Sequence, residues 1–315
     1  MLSRALVQAM PSTACNARCP YCYEEGHRIL TMNEDVQKAT TEYVTSLFGI
    51  YERVTLVWFG GEPLLCMDTI EQMSSGIRER LPNDEDRLTQ SIITNGALLG
   101  TALAEGFFDR CGIRSIQVSM DGFGDDNSQT KGFRGIKGTY SDLIDNINRC
   151  LTAGYHVTVR MNLSSTNEES LISLSKDLQR SFNMFDNMHI YPAPLYGIGE
   201  IYLDRDMVCD AIHRLRSTIN SRFSCKRETR KGCFNSNTYV IQPDGFVVPC
   251  EHLFSMENHY LGNVLSSTHM LSIGEMVSTC QSCSNFGICK QGCASMRTDC
   301  PTAHDCNGLI CWRNV

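Results

Sequence analysis

RALVQAMPSTACNARCPYC, residues 4–22, runs from an apolar stretch into three cysteines, Cys15, Cys19 and Cys22, spaced C-x3-C-x2-C. Residues 4–10 read as a β-strand that ends just before the cysteine loop. The pairing of a strand with a chemically loaded loop recurs along the chain. RVTLVWF (53–59) is a buried strand ended by Gly60-Gly61, TQSIIT (89–94) runs into Asn95-Gly96, and IRSIQVSM (113–120) leads into Asp121-Gly122. HVTVRMNL (156–163) and NMHIYPAP (187–194) complete a set of six strands. Helical patterns fill the intervals: NEDVQKATTEYVTSLFG with an Asn33 cap, DTIEQMSSGIRERL, GALLGTALAEGFFDRCG, TYSDLIDNINRCLTAG with Gly154 at its end, and NEESLISLSKDLQRSF. Six such units predict an α/β fold with a parallel sheet, here a partial (β/α)6 barrel of TIM type. The alternation alone fits a doubly wound sheet equally well. In a barrel the reaction face lies at the C-terminal ends of the strands, where each motif falls.

Composition narrows the class. The chain has 315 residues, 42% of them hydrophobic, which predicts a globular protein with a sizeable core. A formal net charge of -7 argues against a nucleic-acid partner. No apolar run reaches the length of a membrane span, and the N-terminal apolar run lacks the h-region of a signal peptide. The 17 cysteines are odd in number and tightly spaced, which favours metal ligation in a reducing cytoplasm over disulfides. A cytoplasmic location without membrane contact is therefore expected.

Cysteine density rises after about residue 220. NTYVIQPDGFVVPC (237–250) reads as a hairpin turning at Pro243-Asp244-Gly245. Cys233 precedes Gly245 and Cys250, and CQSCSNFGICKQGC supplies Cys280, Cys283, Cys289 and Cys293, followed by Cys311. The last segment has little to bury, so metal is expected to organise it. Three parts are expected: a barrel over 1–205, a bridge over 206–232 and a cysteine-rich domain over 233–315. The bridge carries Arg222, Lys226, Arg227, Arg230 and Lys231, read either as a solvated run or as a dock for an acidic leader peptide.

Three thiolates are one short of a closed zinc site, and no cysteine or histidine follows at finger spacing. A cubane cluster held by three cysteines leaves one iron open. With Tyr21 as the aromatic residue, the triplet resembles the C-x3-C-x-aromatic-C signature of the radical S-adenosylmethionine (SAM) superfamily. The resemblance implies a [4Fe-4S] cluster on Cys15, Cys19 and Cys22 whose open iron chelates SAM, and an electron that cleaves SAM to a 5′-deoxyadenosyl radical. WFGGEPLL resembles the family's G-G-E-P motif, which implies that Gly60, Gly61 and Glu62 hold the methionine amino group, the glycines admitting a close backbone approach. Asn95, Ser119, Asp121 and Arg160 sit where the family places further SAM contacts, with Ser119 on the ribose and Arg160 on the methionine carboxylate. Arg134 resembles another family position, with no role assigned. Taken singly, these residues also fit a zinc loop, plain turns and a surface arginine.

The C-terminal spacings resemble the SPASM extension, an iron–sulfur domain that implies two auxiliary [4Fe-4S] clusters. One would use Cys280, Cys283, Cys289 and Cys311, with Cys306 competing for the last place. The other would use Cys233, Cys250 and Cys293, with Cys225 either as fourth ligand or as a free hydrogen-atom donor. Zinc ribbons share C-x2-C pairs and stay open as a reading of this region alone.

SPASM enzymes modify peptides or proteins, so the resemblance implies a radical SAM peptide maturase. Its expected reaction is thioether or carbon–carbon crosslinking, or epimerisation, of a ribosomally made precursor peptide. The alternative is formylglycine formation of the anaerobic sulfatase-maturase type, in which Glu251, directly after Cys250, would stand where that group keeps a catalytic base. A non-catalytic iron–sulfur electron carrier is the reading from another class, but it has no need for the strand-end motifs. A flavodoxin- or ferredoxin-type reductant is expected. No peptide-recognition segment is expected before the first strand, so leader binding falls to the barrel, the bridge or a separate protein.

Overall fold

Leu2–Ala9 forms strand β1, and the alternation of its buried residues Ala5, Val7 and Ala9 sets one face against the helices. The computed structural model describes residues 2–22, 24, 28–81, 85–136, 138–195, 205–224, 237–251, 254 and 260–266. Five more strands follow in chain order: β2 (Tyr51–Trp58), β3 (Leu88–Thr94), β4 (Ile113–Met120), β5 (His156–Leu163) and β6 (Met188–Pro194). Between them lie α1 (Glu34–Ser46), α2 (Met67–Glu79), α3 (Leu99–Ala104), α4 (Phe107–Cys111), α5 (Asp125–Lys131), α6 (Tyr140–Thr152) and α7 (Glu168–Ser181), and α8 (Arg205–Ser217) follows β6. Asn33 caps α1 by accepting from Val36 N at 2.9 Å. Thr139 and Asp142 form a reciprocal capping box at the start of α6.

All six strands pair in parallel, each beside its sequence neighbour, in the order β6-β5-β4-β3-β2-β1. A doubly wound sheet reverses direction partway; this one never does, so it is singly wound, as in a barrel. Among the described residues it does not close on itself. The outer edge of β1 pairs in parallel with β7 (Thr238–Ile241), which continues antiparallel into β8 (Phe246–Val248) and β9 (Gly262–Asn263). The hairpin that sequence places in a separate C-terminal domain therefore extends the barrel sheet, with Ile241, Val247 and Leu261 in the main core.

The segment read as one helix over 96–112 is two. Gly106 takes the left-handed conformation, φ 68°, and turns the chain between α3 and α4. Two elements carried no helical reading: α5, which follows the Asp121 turn, and α8, which seats Leu215 in the core. The core is built around Trp58, whose indole N–H donates to Gln90 Oε1 at 2.9 Å. Among the described residues no helix is long and apolar enough to cross a membrane.

Candidate active site

The loops leaving β1 to β5 gather on one rim. The cysteine loop leaves β1 and is tied down from three sides. Gly61 N donates to Ser12 O at 3.1 Å and Glu62 N to Ala14 O at 2.8 Å. Arg134 N donates to Asn16 O at 2.8 Å, and Arg18 N to Lys131 O at 2.7 Å. Asn95 Nδ2 donates to Asn16 Oδ1 at 2.7 Å. Arg134, which carried no role in the sequence, thus contributes its backbone amide.

The two glycines after β2 serve this seat. Gly60 has φ 126°, where side chains are strained, and a Cβ on it would stand 2.6 Å from Met10 Cγ and Ser12 O. A Cβ on Gly61 would stand 2.2 Å from Ala14 O and 2.5 Å from Thr13 O. Sequence reads these glycines as room for a ligand; the backbone they admit is that of the cysteine loop. Glu62 turns inward. Its Oε1 accepts from Leu64 N at 3.0 Å and Thr94 Oγ1 at 2.8 Å, and its Oε2 from Asn95 N at 2.8 Å. Burial pushes this carboxyl up, against the downward pull of Asn95, Thr94, Leu64 and the Lys131 cation. One carboxylate therefore joins the β2 and β3 ends, and three of its lone-pair positions face fixed protein donors.

A second cluster fills the ends of β4 and β5. Tyr21 Oη donates to Asp121 Oδ1 at 2.5 Å, and Asn162 Nδ2 reaches both Tyr21 Oη and Asp121 Oδ1 at 3.0 Å. Lys131 Nζ lies 2.9 Å from Asp121 Oδ2 and donates to Ser119 Oγ at 2.9 Å. Asp121 N is fixed by Asn127 Oδ1 at 2.8 Å. Ser119 and Arg160 are cross-strand partners in the β4–β5 register, and Arg160 is half-buried. Burial and the Asp121 charge raise the Tyr21 phenol well above its ordinary value, so it stays protonated. Sequence reading missed Lys131. Its signal was the spacing to Asn127, one helical turn back, which puts both side chains on the buried face of α5.

Cys250, the one expected auxiliary ligand among the described residues, is 2% exposed and shares a packed group with Met10, Phe59, Val240, Val248 and Phe254. Met10 leads into the cysteine loop and Phe59 into the glycine turn, so the hairpin brings Cys250 to the same rim. Its Sγ lies 3.9 Å from Glu251 Oε2. Arg222, at the end of the bridge, pairs with Asp186 at 2.7 Å. Cys225, Cys233, Cys280, Cys283, Cys289, Cys293, Cys306 and Cys311 lie outside the described residues, as do Lys226, Arg227, Arg230 and Lys231.

Cys15, Cys19 and Cys22 are free, half-buried thiols on one loop. They feel one another's charge, yet among the described residues no three His, Cys, Asp or Glu side chains converge tightly enough for a single metal ion. The C-x3-C-x2-C spacing supplies three thiolates, one short of a closed zinc site and enough to hold a cubane with one open iron. Burial pushes the Cys22 thiol up to about 11, against the downward pull of a hydrogen bond from the Glu24 backbone and with the charges of Glu24, Cys19 and Cys15 adding to the push. In the iron-free protein, alkylation of Cys22 should therefore accelerate about tenfold per pH unit past the ordinary thiol range. Peptide mapping would read this, and a rate that levels off near pH 8.5 would contradict the buried setting.

A singly wound parallel sheet thus carries a three-cysteine loop after its first strand, seated on a glycine turn after its second. The radical SAM superfamily profile matches residues 10–178, more than half of the chain, and the chain belongs to that superfamily. Among curated relatives it is 22% identical over 362 aligned positions to the serine-type anaerobic sulfatase-maturating enzyme of Klebsiella aerogenes, covering 95% of this chain and 87% of that enzyme. It is 26% identical over 153 positions to the Fe-coproporphyrin III synthase of Methanosarcina barkeri, covering 49% of this chain and only 35% of that enzyme. Two solved structures share the fold. Native anSMEcpe with bound AdoMet and Kp18Cys peptide superposes with a TM-score of 0.73 at 16% identity, covering 99% of this chain and 96% of that one. Streptococcus suis SuiB bound to precursor peptide SuiA gives 0.69 at 15% identity, covering 96% and 74%. Membership implies a [4Fe-4S] cluster and SAM, which together supply a carbon-centred radical when bound.

Proposed function

We propose that this enzyme modifies a peptide, drawing on a hydrogen abstraction at the rim to crosslink or epimerise a ribosomally made precursor. The observation that carries the reading is Cys250: the hairpin sets a further thiol on the rim that bears Cys15, Cys19 and Cys22. Full-length fold similarity to two structures solved with peptides supports it. In this reading, Arg160 and Ser119 contact SAM together with the Gly60–Glu62 turn, Asn95 and the Asp121 cluster. Residues 1–205 form the barrel and 206–232 the bridge. Residues 233–315 form a SPASM domain whose two auxiliary [4Fe-4S] clusters use the ligand sets expected from sequence, and a low-potential flavodoxin or ferredoxin supplies electrons.

A second reading, oxidation of a Cys or Ser to formylglycine, is favoured by the Cys250–Glu251 contact and by the sulfatase-maturating relative aligned along 95% of this chain. One experiment separates them. The reconstituted enzyme is incubated anaerobically with dithionite, SAM and candidate cysteine-containing peptides, and the products are weighed before and after a hydrazide treatment. Loss of two hydrogens without hydrazone formation, or unchanged mass in H2O together with deuterium uptake in D2O, supports the first reading. A hydrazone on a sulfatase-type peptide overturns it in favour of the second. About twelve irons per chain are expected, and about four would remove the auxiliary clusters.

A further inference from the structure

Lys131 closes α5 with its side chain 2% exposed. A buried ammonium is costly unless it is paired, and here it is paired at 2.9 Å with the equally buried Asp121. An apolar side chain would fill this space without that cost, so the charge itself asks for a reason. Lys131 also touches the cysteine loop through its backbone. Its carbonyl accepts from Arg18 N at 2.7 Å and lies 4.0 Å from Cys19 Sγ. The ammonium lies 3.4 Å from Oη of Tyr21, which stands between Cys19 and Cys22 on the cysteine loop.

We propose that Lys131 is a positioning residue that sets the reduction potential of the iron–sulfur cluster on Cys15, Cys19 and Cys22, with Asp121 as its counterweight. Reduction brings in one electron from a low-potential donor and adds one negative charge beside Cys19, with no bond made or broken in the protein. A fixed, desolvated cation stabilises that added charge and raises the potential. Asp121 limits the effect and holds the ammonium in place directly, itself fixed by donation from Tyr21 and Asn162, while Ser119 accepts from the ammonium. The proposal rests on the superfamily membership and not on the peptide reading.

The test measures the potential without SAM or peptide, so its failure is separate from failure of the peptide reading. Wild type, K131M, K131R, D121N and the K131M/D121N double variant of the full chain are reconstituted. Each is titrated with dithionite and followed by electron paramagnetic resonance. A variant lacking Cys15, Cys19 and Cys22 identifies which signals belong to this cluster. Loss of the cation should move the K131M midpoint to more negative potential, and loss of the counter-charge should move D121N the other way. K131R should stay near wild type, and the double variant should fall between the two single ones. If K131M fails to retain iron, D121N and K131R still decide the matter. Shifts of the same sign in K131M and D121N, no shift in D121N, or a K131R midpoint displaced as far as that of K131M would overturn the proposal.

Discussion

Gly61→Ala is expected to leave the barrel folded and empty its cysteine loop of iron. The added Cβ would stand 2.2 Å from Ala14 O and 2.5 Å from Thr13 O, backbone atoms with no rotamer to escape into. Relief requires the loop to move off the turn, which breaks the bonds from Gly61 N to Ser12 O and from Glu62 N to Ala14 O. Overpacking of about 1–3 kcal/mol and roughly 1 kcal/mol per lost hydrogen bond together exceed what this closely seated loop can absorb in place. The strain is released locally, because β1 and β2 stay paired along their length. The melting temperature should fall by only a few degrees. Iron should drop by about four atoms per chain, and SAM cleavage to 5′-deoxyadenosine should fall on the order of a hundredfold or more. Full iron content with normal cleavage would show that the glycine turn does not seat the loop.

Glu62→Ala should be the larger loss in stability. The carboxylate is 1% exposed and accepts from Leu64 N, Thr94 Oγ1 and Asn95 N. Alanine leaves two backbone N–H donors without partners in a closed space, each costing about 1–3 kcal/mol. It also opens a gap between the β2 and β3 ends. The desolvation saved by removing a buried charge offsets part of this, so the net is about 3–4 kcal/mol, or roughly 6–12 °C in melting temperature. Glu62→Gln keeps the shape but sets one amide N–H against a backbone donor, and should cost about half as much. Thermal denaturation of the iron-free chain measures both. Equal melting temperatures in the three proteins would mean that the carboxylate faces solvent or ligand and joins nothing. Activity should fall in the same order, since Asn95, which Glu62 fixes, holds Asn16 in the cysteine loop.

Local pattern was legible wherever one stretch of chain decides its own burial. The strand read over 156–163 is found as β5, His156–Leu163, because alternating apolar residues report a buried strand face without knowledge of its neighbours. The Asn33 cap and the Cys15, Cys19 and Cys22 spacing are local in the same sense. Contacts set by the path of the chain were not legible. Gly60 and Gly61 marked a close approach in the sequence, but only the fold names the cysteine loop as what approaches. Lys131 carried no reading in the sequence: its partner Asp121 lies across a turn, and its burial depends on where α5 packs. The hairpin was visible as a hairpin, yet its joining to β1 depends on an edge that the open barrel leaves free.

The sequence by itself determined the family, the cysteine triplet and the strand-end placement of the motifs, since each depends on residue type and spacing along one short segment. The tertiary structure decided that the sheet is singly wound and that the glycine turn carries the cysteine loop. It also decided that a buried Lys131–Asp121 pair stands beside Cys19. Each of these joins segments many residues apart, and their meeting depends on strand order and register, which hydrophobic periodicity does not encode.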